Sequence, residues 1–227
     1  MNRPYYICYM IMSLDGRIDC PMTEHLKGTD YYYQILDSLN VETRISGRVT
    51  AEIEMAKKGK FVPVKNEKLC KTAFKINKIA KGYDVIIDTK GTLLWEKGSI
   101  DESPLLIIAS SEVSKEYLDY LDSLDISWIV SGDKGVDFET ASKIIHEEFK
   151  IERAAIVGGG HINAAFLDKK LIDEIVMIIG SGIDGRKGEV SVFDGLSHDK
   201  PLTQLKLLSV ESLNEEAILA KYKPLYE

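Results

Sequence analysis

Apolar residues form short runs that recur along the chain, and several of these runs are separated by helical patterns. Residues 5–12 are almost continuously apolar and end at a turn signal, which indicates a central β-strand. Similar short runs occupy residues 83–88, 105–109, 126–130 and 154–157. Runs that are apolar on both faces are typical of a parallel sheet that is covered on both sides.

Helical spacing is clearest in two of the intervening stretches. Residues 111–123 start with a serine that is a candidate N-cap, and residues 137–150 carry an apolar stripe. Strands that alternate with such helices predict right-handed βαβ units in an open, doubly wound α/β sheet. The tail differs, because residues 174–180, 205–210 and 217–222 resemble strands with no helix between them. We therefore expect an antiparallel hairpin at the edge of the sheet.

The composition is that of a globular protein. The 227 residues are 44% hydrophobic and 29% charged, and 29 Lys and Arg residues against 36 Asp and Glu residues give a net charge of −7. This excludes a disordered or collagen-like chain and argues against nucleic acid or an anionic membrane as the main partner. Residues 57–81 are basic and weakly periodic, so we interpret them as a solvated helix-and-loop region. With no Pro/Ser-rich linker, we predict a single domain over residues 1–227.

Cysteine usage and the apolar runs bear on the cellular setting. The three cysteines, Cys8, Cys20 and Cys70, are odd in number and show no C-x-x-C spacing. Neither a disulfide framework nor a metal site is expected, and a reducing cytoplasm is the natural location. No window holds enough uninterrupted apolar residues for a membrane span.

The strongest chemical signal is the glycine run at residues 158–160, which follows a strand pattern and precedes a helical one. Amides at a helix start are unpaired and attract anions, and glycine removes the Cβ that would block a phosphate. The segment is interpreted as a phosphate cradle, with a tight strand–helix turn that binds nothing as the alternative. Residues 180–185 also fit G-x-G-x-x-G, but no helical pattern follows. A dinucleotide fingerprint of the Rossmann type is therefore disfavoured, and an irregular loop is expected there.

Two further segments have both a functional and a plain structural interpretation. Arg48 and Thr50 follow a short apolar strand, and together they offer a guanidinium fork and a hydroxyl to a phosphate. The alternative is a surface arginine and a helix cap. Asp15 and Ser13 lie just after the predicted central strand, where ligands bind in open α/β sheets. Asp15 could orient or protonate a polar heterocycle there, although Asp-Gly is also an ordinary turn signal.

Taken in order, residues 13–18, 47–50 and 157–167 resemble the reductase domain of riboflavin biosynthesis. The match continues through the Leu-Ile-Asp-Glu sequence at residues 171–174. The resemblance implies a dihydrofolate-reductase-like fold, which is a three-layer α/β/α arrangement. Its central sheet would be mostly parallel, with an antiparallel C-terminal hairpin. Members of this family usually form homodimers, so we expect one here.

The resemblance also implies an activity and its residues. The family reduces 5-amino-6-(5-phosphoribosylamino)uracil with NADPH, by hydride transfer to C1′ of the ribose. Asp15 would be the acid that faces the pyrimidine, and Ser13 would contact the same substrate. Arg48 would pair with the 2′-phosphate of NADPH, and Thr50 and the glycine amides would hold its pyrophosphate. The full set of implied cofactor-binding residues is Arg48, Thr50, Ser110, Ser111, Gly158, Gly159, Gly160 and His161.

This chain departs from the family pattern at two places. Val157 stands where these reductases commonly have a glutamate, and Ile179-Gly180 stands where many have Ala-Pro. The deaminase half that is often fused to this reductase is not found in the sequence. Two alternatives therefore stay open: a reductase of another heterocycle or carbonyl, and a nucleotide-binding protein without turnover.

Overall fold

The computed structural model describes residues 2–226, which fold as two compact units. Unit 1 contains residues 2–4 and 42–154, and unit 2 contains residues 5–41 and 155–226. A single domain over the whole chain stays a prediction. In chain order the elements are β1 (Tyr5–Met12), α1 (Cys20–Thr23), α2 (Tyr31–Ser38), β2 (Arg44–Gly47), α3 (Arg48–Glu54), β3 (Ala73–Lys75), β4 (Asp84–Ile87), β5 (Ser99–Ile100), β6 (Ser103–Ala109), α4 (Lys115–Ser123), β7 (Ser127–Val130), α5 (Phe138–Glu147), β8 (Arg153–Ile156), α6 (Gly160–Asp168), β9 (Ile172–Gly180), β10 (Gln204–Leu213) and β11 (Ala217–Leu225).

Unit 1 is built on parallel strands in the order β2-β4-β6-β7. β3 adds to β7 in the antiparallel direction, and β5 pairs with β6 off this path. The strands are buried along their length because they are apolar on both faces, as the sequence predicted. The core of the unit includes Ile86, Ile107, Tyr117, Leu121 and Val130.

Unit 2 combines a parallel and an antiparallel pairing. β1 runs parallel to β9, with Met12 opposite Ile179 at the carboxyl ends. β11 is antiparallel to β9, and β10 is antiparallel to β11 at the outer edge. The predicted C-terminal hairpin is therefore confirmed. The apolar core on one face of these strands includes Tyr9, Val176 and Leu219.

Two local predictions were wrong. Helix α4 begins after Ser114, whose Oγ accepts a hydrogen bond from the amide of Tyr117, and not at Ser111. Val113 is fully buried between these two serines, so the chain packs into the core before the helix starts. The basic segment 57–81 contains no helix, and its one regular element is the short strand β3. Within residues 2–226, no helix has the length and apolar character needed to cross a bilayer.

Candidate active site

The turn after β1 is closed by the side chain of Ser13. Ser13 is fully buried, and its Oγ donates to Asp15 Oδ1 at 2.7 Å while it accepts from the amide of Arg17 at 3.0 Å. The amide of Ser13 donates to the Arg17 carbonyl, also at 3.0 Å. Gly16 takes φ +81°, in the left-handed region that favours glycine. The turn therefore presents the Asp15 carboxylate at the carboxyl end of β1.

Asp15 is held as an anion. Besides the bond from Ser13, its carboxylate accepts hydrogen bonds from the amides of Asp184 (3.0 Å) and Gly185 (2.9 Å). These bonds, led by that from Ser13, hold the pKa of the Asp15 carboxyl well below its usual range. An acid with so low a pKa is a poor proton donor near neutral pH. The geometry therefore favours an orienting acceptor at Asp15 over the proton donor that the sequence suggested.

The segment after β9 is bound to the Ser13 turn along its length. The Leu14 amide donates to the Gly182 carbonyl at 2.8 Å, and the Val192 amide donates to the Gly16 carbonyl at 3.1 Å. Arg17 donates to the Glu189 carbonyl through Nη1, and its Nε is buried without a partner in the described residues. No helix follows the G-x-G-x-x-G pattern, so the expectation of an irregular loop rather than a Rossmann fingerprint is confirmed.

The glycine turn between β8 and α6 is shaped by its backbone and by close packing. Gly158 takes φ +110°, and the Gly158–Gly159 peptide bond is cis. A Cβ on Gly158 would lie 3.0 Å from Cε of Met10, so this glycine sits against β1. A Cβ on Gly160 would lie 2.1 Å from the Ser191 carbonyl oxygen. Conformation and packing thus account for two of the three glycines before any ligand is considered.

The same turn leaves amides available to a ligand. In the described part of the chain, no hydrogen bond is donated by the amides of Gly159, Gly160 or His161, and no side chain caps α6. The helix is nine residues long, so its dipole adds to the attraction for an anion at this end. The His161 ring is occupied on one side, because its Nδ1 lies 3.1 Å from the Asp194 carbonyl oxygen.

Asn163 is a residue of this turn to which the sequence analysis gave no role. It is fully buried in α6, and its Nδ2 donates to the Val192 carbonyl at 2.7 Å. Its Oδ1 is buried without a hydrogen-bond partner among residues 2–226. A buried acceptor left unpaired is costly, so a ligand N–H or O–H that reaches Oδ1 would relieve this cost. An asparagine in the first turn after a glycine run was the signal available in the sequence.

Unit 2 therefore joins three of the predicted segments. The loop over residues 181–195 bonds to the Ser13 turn on one side and to the start of α6 on the other, through Val192 and Asp194. Ser13, Asp15, Gly158, Gly159, Gly160 and His161 all belong to this unit. The arrangement combines a fixed carboxylate with a set of open backbone amides. That combination can bind a polar heterocycle and an anion.

Arg48 and Thr50 lie in unit 1, on the first turn of α3. The predicted short strand before Arg48 is β2, which ends at Gly47, and the structure makes Gly47 the N-cap of α3. Arg48 forms an ion pair with Glu52 one helical turn later, Nη1 to Oε2 at 2.5 Å, and both side chains are about 40% exposed, at 39% and 40%. Arg48 can therefore turn to a phosphate only by sharing or releasing Glu52. The Thr50 side chain is half-buried.

Ser110 and Ser111 lie after β6 in unit 1, and their hydroxyls differ in availability. Ser110 is fully buried, and its Oγ donates to the Thr89 carbonyl at 3.0 Å. Its surroundings therefore do not support contact between the hydroxyl and a cofactor. Ser111 is also largely buried, but its Oγ makes only long contacts to Asp133, at 3.4 and 3.5 Å. Ser111 is thus the better candidate of the two.

A nucleotide cofactor fits these residues on two observations. The amides at the start of α6 suit a phosphate group, and the unpaired Asn163 Oδ1 suits a donor on the same ligand. A nicotinamide dinucleotide, NAD(P)H, presents phosphates for the amides and hydroxyls or a carboxamide for the Asn163 acceptor. The cofactor roles of individual residues stay predictions.

Comparisons with known proteins identify what the chain is similar to. Residues 4–219 match the family described as RibD C-terminal domain. RibD from Acinetobacter baumannii aligns with a TM-score of 0.70 and 20% identity over 99% of this chain. A pyrimidine reductase-like protein from Corynebacterium diphtheriae gives 0.72 and 20% over 100% of this chain and 94% of its own. The riboflavin biosynthesis reductase Rib7 of Saccharomyces cerevisiae gives 0.60 and 17%, covering 99% of this chain and 91% of that one.

Coverage differs among these solved structures. The chain spans 59% of the length of the A. baumannii protein and nearly all of the C. diphtheriae protein. At these identities the likeness establishes the fold, which is mixed α/β with a mostly parallel sheet and antiparallel C-terminal strands. No curated protein sequence matched the chain.

Proposed function

The chain belongs to the RibD C-terminal domain family, and from that premise we propose that it is an NADPH-dependent reductase of 5-amino-6-(5-phosphoribosylamino)uracil. The family contains NAD(P)H-dependent pyrimidine reductases. The proposal goes further in naming the substrate and in choosing NADPH over NADH. The ribosyl ring of the substrate would first open to the imine, which breaks the bond between C1′ and O4′ and leaves a hydroxyl at C4′. Hydride would then add to C1′ and a solvent proton to the imine nitrogen, which gives the ribityl group.

One observation carries the proposal. In unit 2 the glycine turn and the Asp15 turn are joined by the loop over residues 181–195. Backbone amides suited to an anion and a carboxylate suited to a polar heterocycle are thereby held by the same loop. A reductase of a phosphorylated pyrimidine needs both functions in a fixed relation, because hydride transfer requires the two carbons to be held in contact.

When bound, NADPH supplies the hydride. The residues of this chain bind and orient: the amides of Gly159, Gly160 and His161 are proposed to hold phosphate oxygens, and Asn163 Oδ1 accepts a hydrogen bond from the ligand. Arg48 and Thr50 are proposed to contact the 2′-phosphate and pyrophosphate, respectively. Asp15, fixed as an anion, accepts hydrogen bonds from the pyrimidine and so selects its orientation. No side-chain proton donor is assigned.

The proposed activity is tested by incubating the purified protein with NADPH and the phosphoribosylaminouracil. We expect oxidation of the cofactor and formation of the ribityl compound, both dependent on enzyme. The matched control is the Asp15→Asn variant, which should bind NADPH normally and turn over slowly. Absence of both changes at high enzyme concentration would refute the substrate assignment and leave the fold unaffected.

A second candidate is a reductase of another heterocycle, and Val157 is the observation that favours it. Val157 is half-buried against the apolar core of unit 2, where these reductases commonly carry a glutamate. Without that carboxylate, a less polar substrate would be accepted more readily. Oxidation of NADPH by a dihydropterin or a simple carbonyl compound, but not by the phosphoribosylaminouracil, would select this alternative. Binding of NADPH with no turnover of any substrate would indicate a nucleotide-binding protein.

A further inference from the structure

The protein and the proposed cofactor have net charges of the same sign. NADPH is a polyanion through its pyrophosphate and its 2′-phosphate, and the chain has a net charge of −7. The excess lies mainly in unit 2, which has 10 basic and 15 acidic residues over 5–41 and 155–226, whereas unit 1 has 19 and 20. An anion that approaches the molecule is repelled on average at long range, so fast binding needs a local excess of positive charge.

Residues 57–71 of unit 1 provide such an excess. They contain six lysines and one acid, Glu67, which forms an ion pair with Lys115 at 2.5 Å. All six lysines are exposed, and none of them forms an ion pair within residues 2–226. We refer to them as the lysine cluster, and its members are Lys57, Lys58, Lys60, Lys65, Lys68 and Lys71.

Backbone hydrogen bonds hold the lysine cluster at the carboxyl ends of the parallel strands of unit 1. The Phe61 amide donates to the carbonyl of Thr92, which follows β4, at 2.9 Å. The Cys70 amide donates to the carbonyl of Ser111, which follows β6, at 3.1 Å. Arg48 follows β2 at the same edge. Ligands of open α/β sheets bind at this edge, so the cluster borders the residues proposed to contact the cofactor in unit 1.

Two acids beside the lysine cluster have other partners. The Glu116 carboxylate accepts hydrogen bonds from the amides of Val64 and Lys65, at 2.6 and 2.7 Å. Glu52 pairs with Arg48. Neither carboxylate forms an ion pair with a lysine of the cluster, so the ammonium groups stay available to an anion that arrives from solvent.

The same basic segment then crosses to the opposite edge of the sheet. In the antiparallel pairing of β3 with β7, Ala73 lies opposite Val130 at the carboxyl end of β7. The chain therefore runs towards the amino ends, where the Lys78 carbonyl accepts from the hydroxyl of Tyr83, just before β4. Lys78 and Lys81 are exposed and form no ion pair in the described residues. They match the cluster in residue type and exposure but lie away from the proposed cofactor residues.

We propose that the lysine cluster attracts NADPH from solution and steers it to the carboxyl edge of unit 1, where Arg48 contacts the 2′-phosphate. The inference rests on the proposed cofactor and adds how a negatively charged protein binds it quickly. Attraction by charges around a site raises the association rate more than it slows dissociation. It also weakens as salt shortens the range of the field.

The test is stopped-flow association of NADPH with the full chain, followed by the fluorescence of the cofactor. Lys68 and Lys71 are changed together because they lie on either side of the hydrogen bond to Ser111. At about 0.1 M salt the field extends about 10 Å, so only charges near the binding edge contribute strongly. Lys68→Glu/Lys71→Glu should lower the association rate constant about fivefold there and leave the dissociation rate constant unchanged. At about 1 M salt the variant should match wild type.

Lys78→Glu/Lys81→Glu is the matched control, because it changes the net charge of the chain by the same amount. It should lower the association rate constant less than about twofold at about 0.1 M salt. Urea midpoints of both variants verify that they are folded. NADH lacks the 2′-phosphate, so Lys68→Glu/Lys71→Glu should slow its association less than that of NADPH.

Three results would overturn the proposal while leaving the cofactor assignment intact. They are equal association rate constants for wild type and both variants, equal losses in the two variants, and a faster dissociation of NADPH from Lys68→Glu/Lys71→Glu with unchanged association, which would indicate direct contact. If NADPH binds to none of the three proteins, the proposed cofactor is refuted, and the steering inference with it.

Discussion

Substituting Gly160 with alanine tests whether close packing holds the glycine turn against the loop over residues 181–195. The added Cβ would lie 2.1 Å from the Ser191 carbonyl oxygen and 2.9 Å from Val190 Cγ1. Ordinary contact begins near 3.4 Å, so 3.4 − 2.1 gives a required displacement of about 1.3 Å. Backbone cannot move that far without breaking local hydrogen bonds.

The size of the effect follows from what this displacement disrupts. Three hydrogen bonds join the start of α6 to the loop: Asp194 N to Gly160 O at 3.2 Å, Asn163 Nδ2 to Val192 O at 2.7 Å, and His161 Nδ1 with Asp194 O at 3.1 Å. Overpacking costs about 1–3 kcal/mol, and each lost hydrogen bond costs about 0.5–1.5 kcal/mol. Alanine recovers at most about 1 kcal/mol of helix propensity. With two of these bonds lost, we expect Gly160→Ala to lower the free energy of unfolding by about 1–5 kcal/mol.

Urea denaturation measures this change, with two glycines as controls. Gly135 has open space around the position of a Cβ and no positive φ, so Gly135→Ala should be neutral or slightly stabilising. Gly188 also has open space but takes φ +86°, so Gly188→Ala should cost about 1 kcal/mol. If Gly160→Ala were as stable as Gly135→Ala, packing against Ser191 would not be the reason for this glycine.

The remaining predictions concern the candidate site. Arg48→Ala should weaken NADPH binding at least about tenfold more than NADH binding. Glu52→Gln should strengthen the binding of NADPH, and not of NADH, about two- to fivefold by releasing Arg48. Calorimetry with both cofactors would show equal effects on the two if Arg48 does not contact the 2′-phosphate. Asp15→Asn should speed tryptic cleavage after Arg186 at neutral pH, because asparagine keeps only one acceptor oxygen and cannot accept from both the Asp184 and the Gly185 amides as the carboxylate does. An unchanged rate would mean that Asp15 does not hold the loop. The pKa of Asp15 is lowered in the folded protein. The stability that its carboxylate contributes is therefore fully present above the unfolded pKa and is lost only as the pH falls through the lower folded pKa. The rate of tryptic cleavage of wild type should therefore not change through Asp15 ionisation near neutral pH. Asn163→Ala should cost about 1–3 kcal/mol in urea unfolding by leaving the Val192 carbonyl unpaired; a neutral result would contradict its role as a tether.

Local patterns predicted much of the fold because they report burial directly. The run at residues 5–12 became β1 with the same limits, and the helix expected over residues 137–150 appeared as α5, capped by the Asp137 carboxylate. The cap of α4 was placed three residues early because a sequence pattern does not show that Val113 packs into the core before the helix begins. Residues 57–81 make contacts with distant parts of the chain, such as the pairing of β3 with β7. The local pattern of hydrophobic residues does not predict such contacts.

The sequence predicted which residues form the candidate site, but it did not predict the hydrogen bonds and close contacts that join them. The glycine run and the Asp15 turn were identified from their neighbours in the sequence. The hydrogen bonds that fix Asp15 as an anion come from Asp184 and Gly185, about 170 residues away along the chain. The crowding at Gly160 likewise comes from Ser191. The sequence thus revealed which groups are present, while their ionisation and their tethers depend on the folded chain.

The central claim is that this chain transfers a hydride from NADPH to C1′ of a ribosylaminopyrimidine. It is tested most directly with NADPH deuterated at C4 of the nicotinamide and with the phosphoribosylaminouracil as acceptor. Because transfer from C4 is specific to one face, each of the two C4-deuterated diastereomers is used in turn. The account predicts a ribityl product that carries one deuterium at C1′ with one diastereomer and none with the other. An undeuterated ribityl product with both diastereomers, or no ribityl product at all, would contradict it.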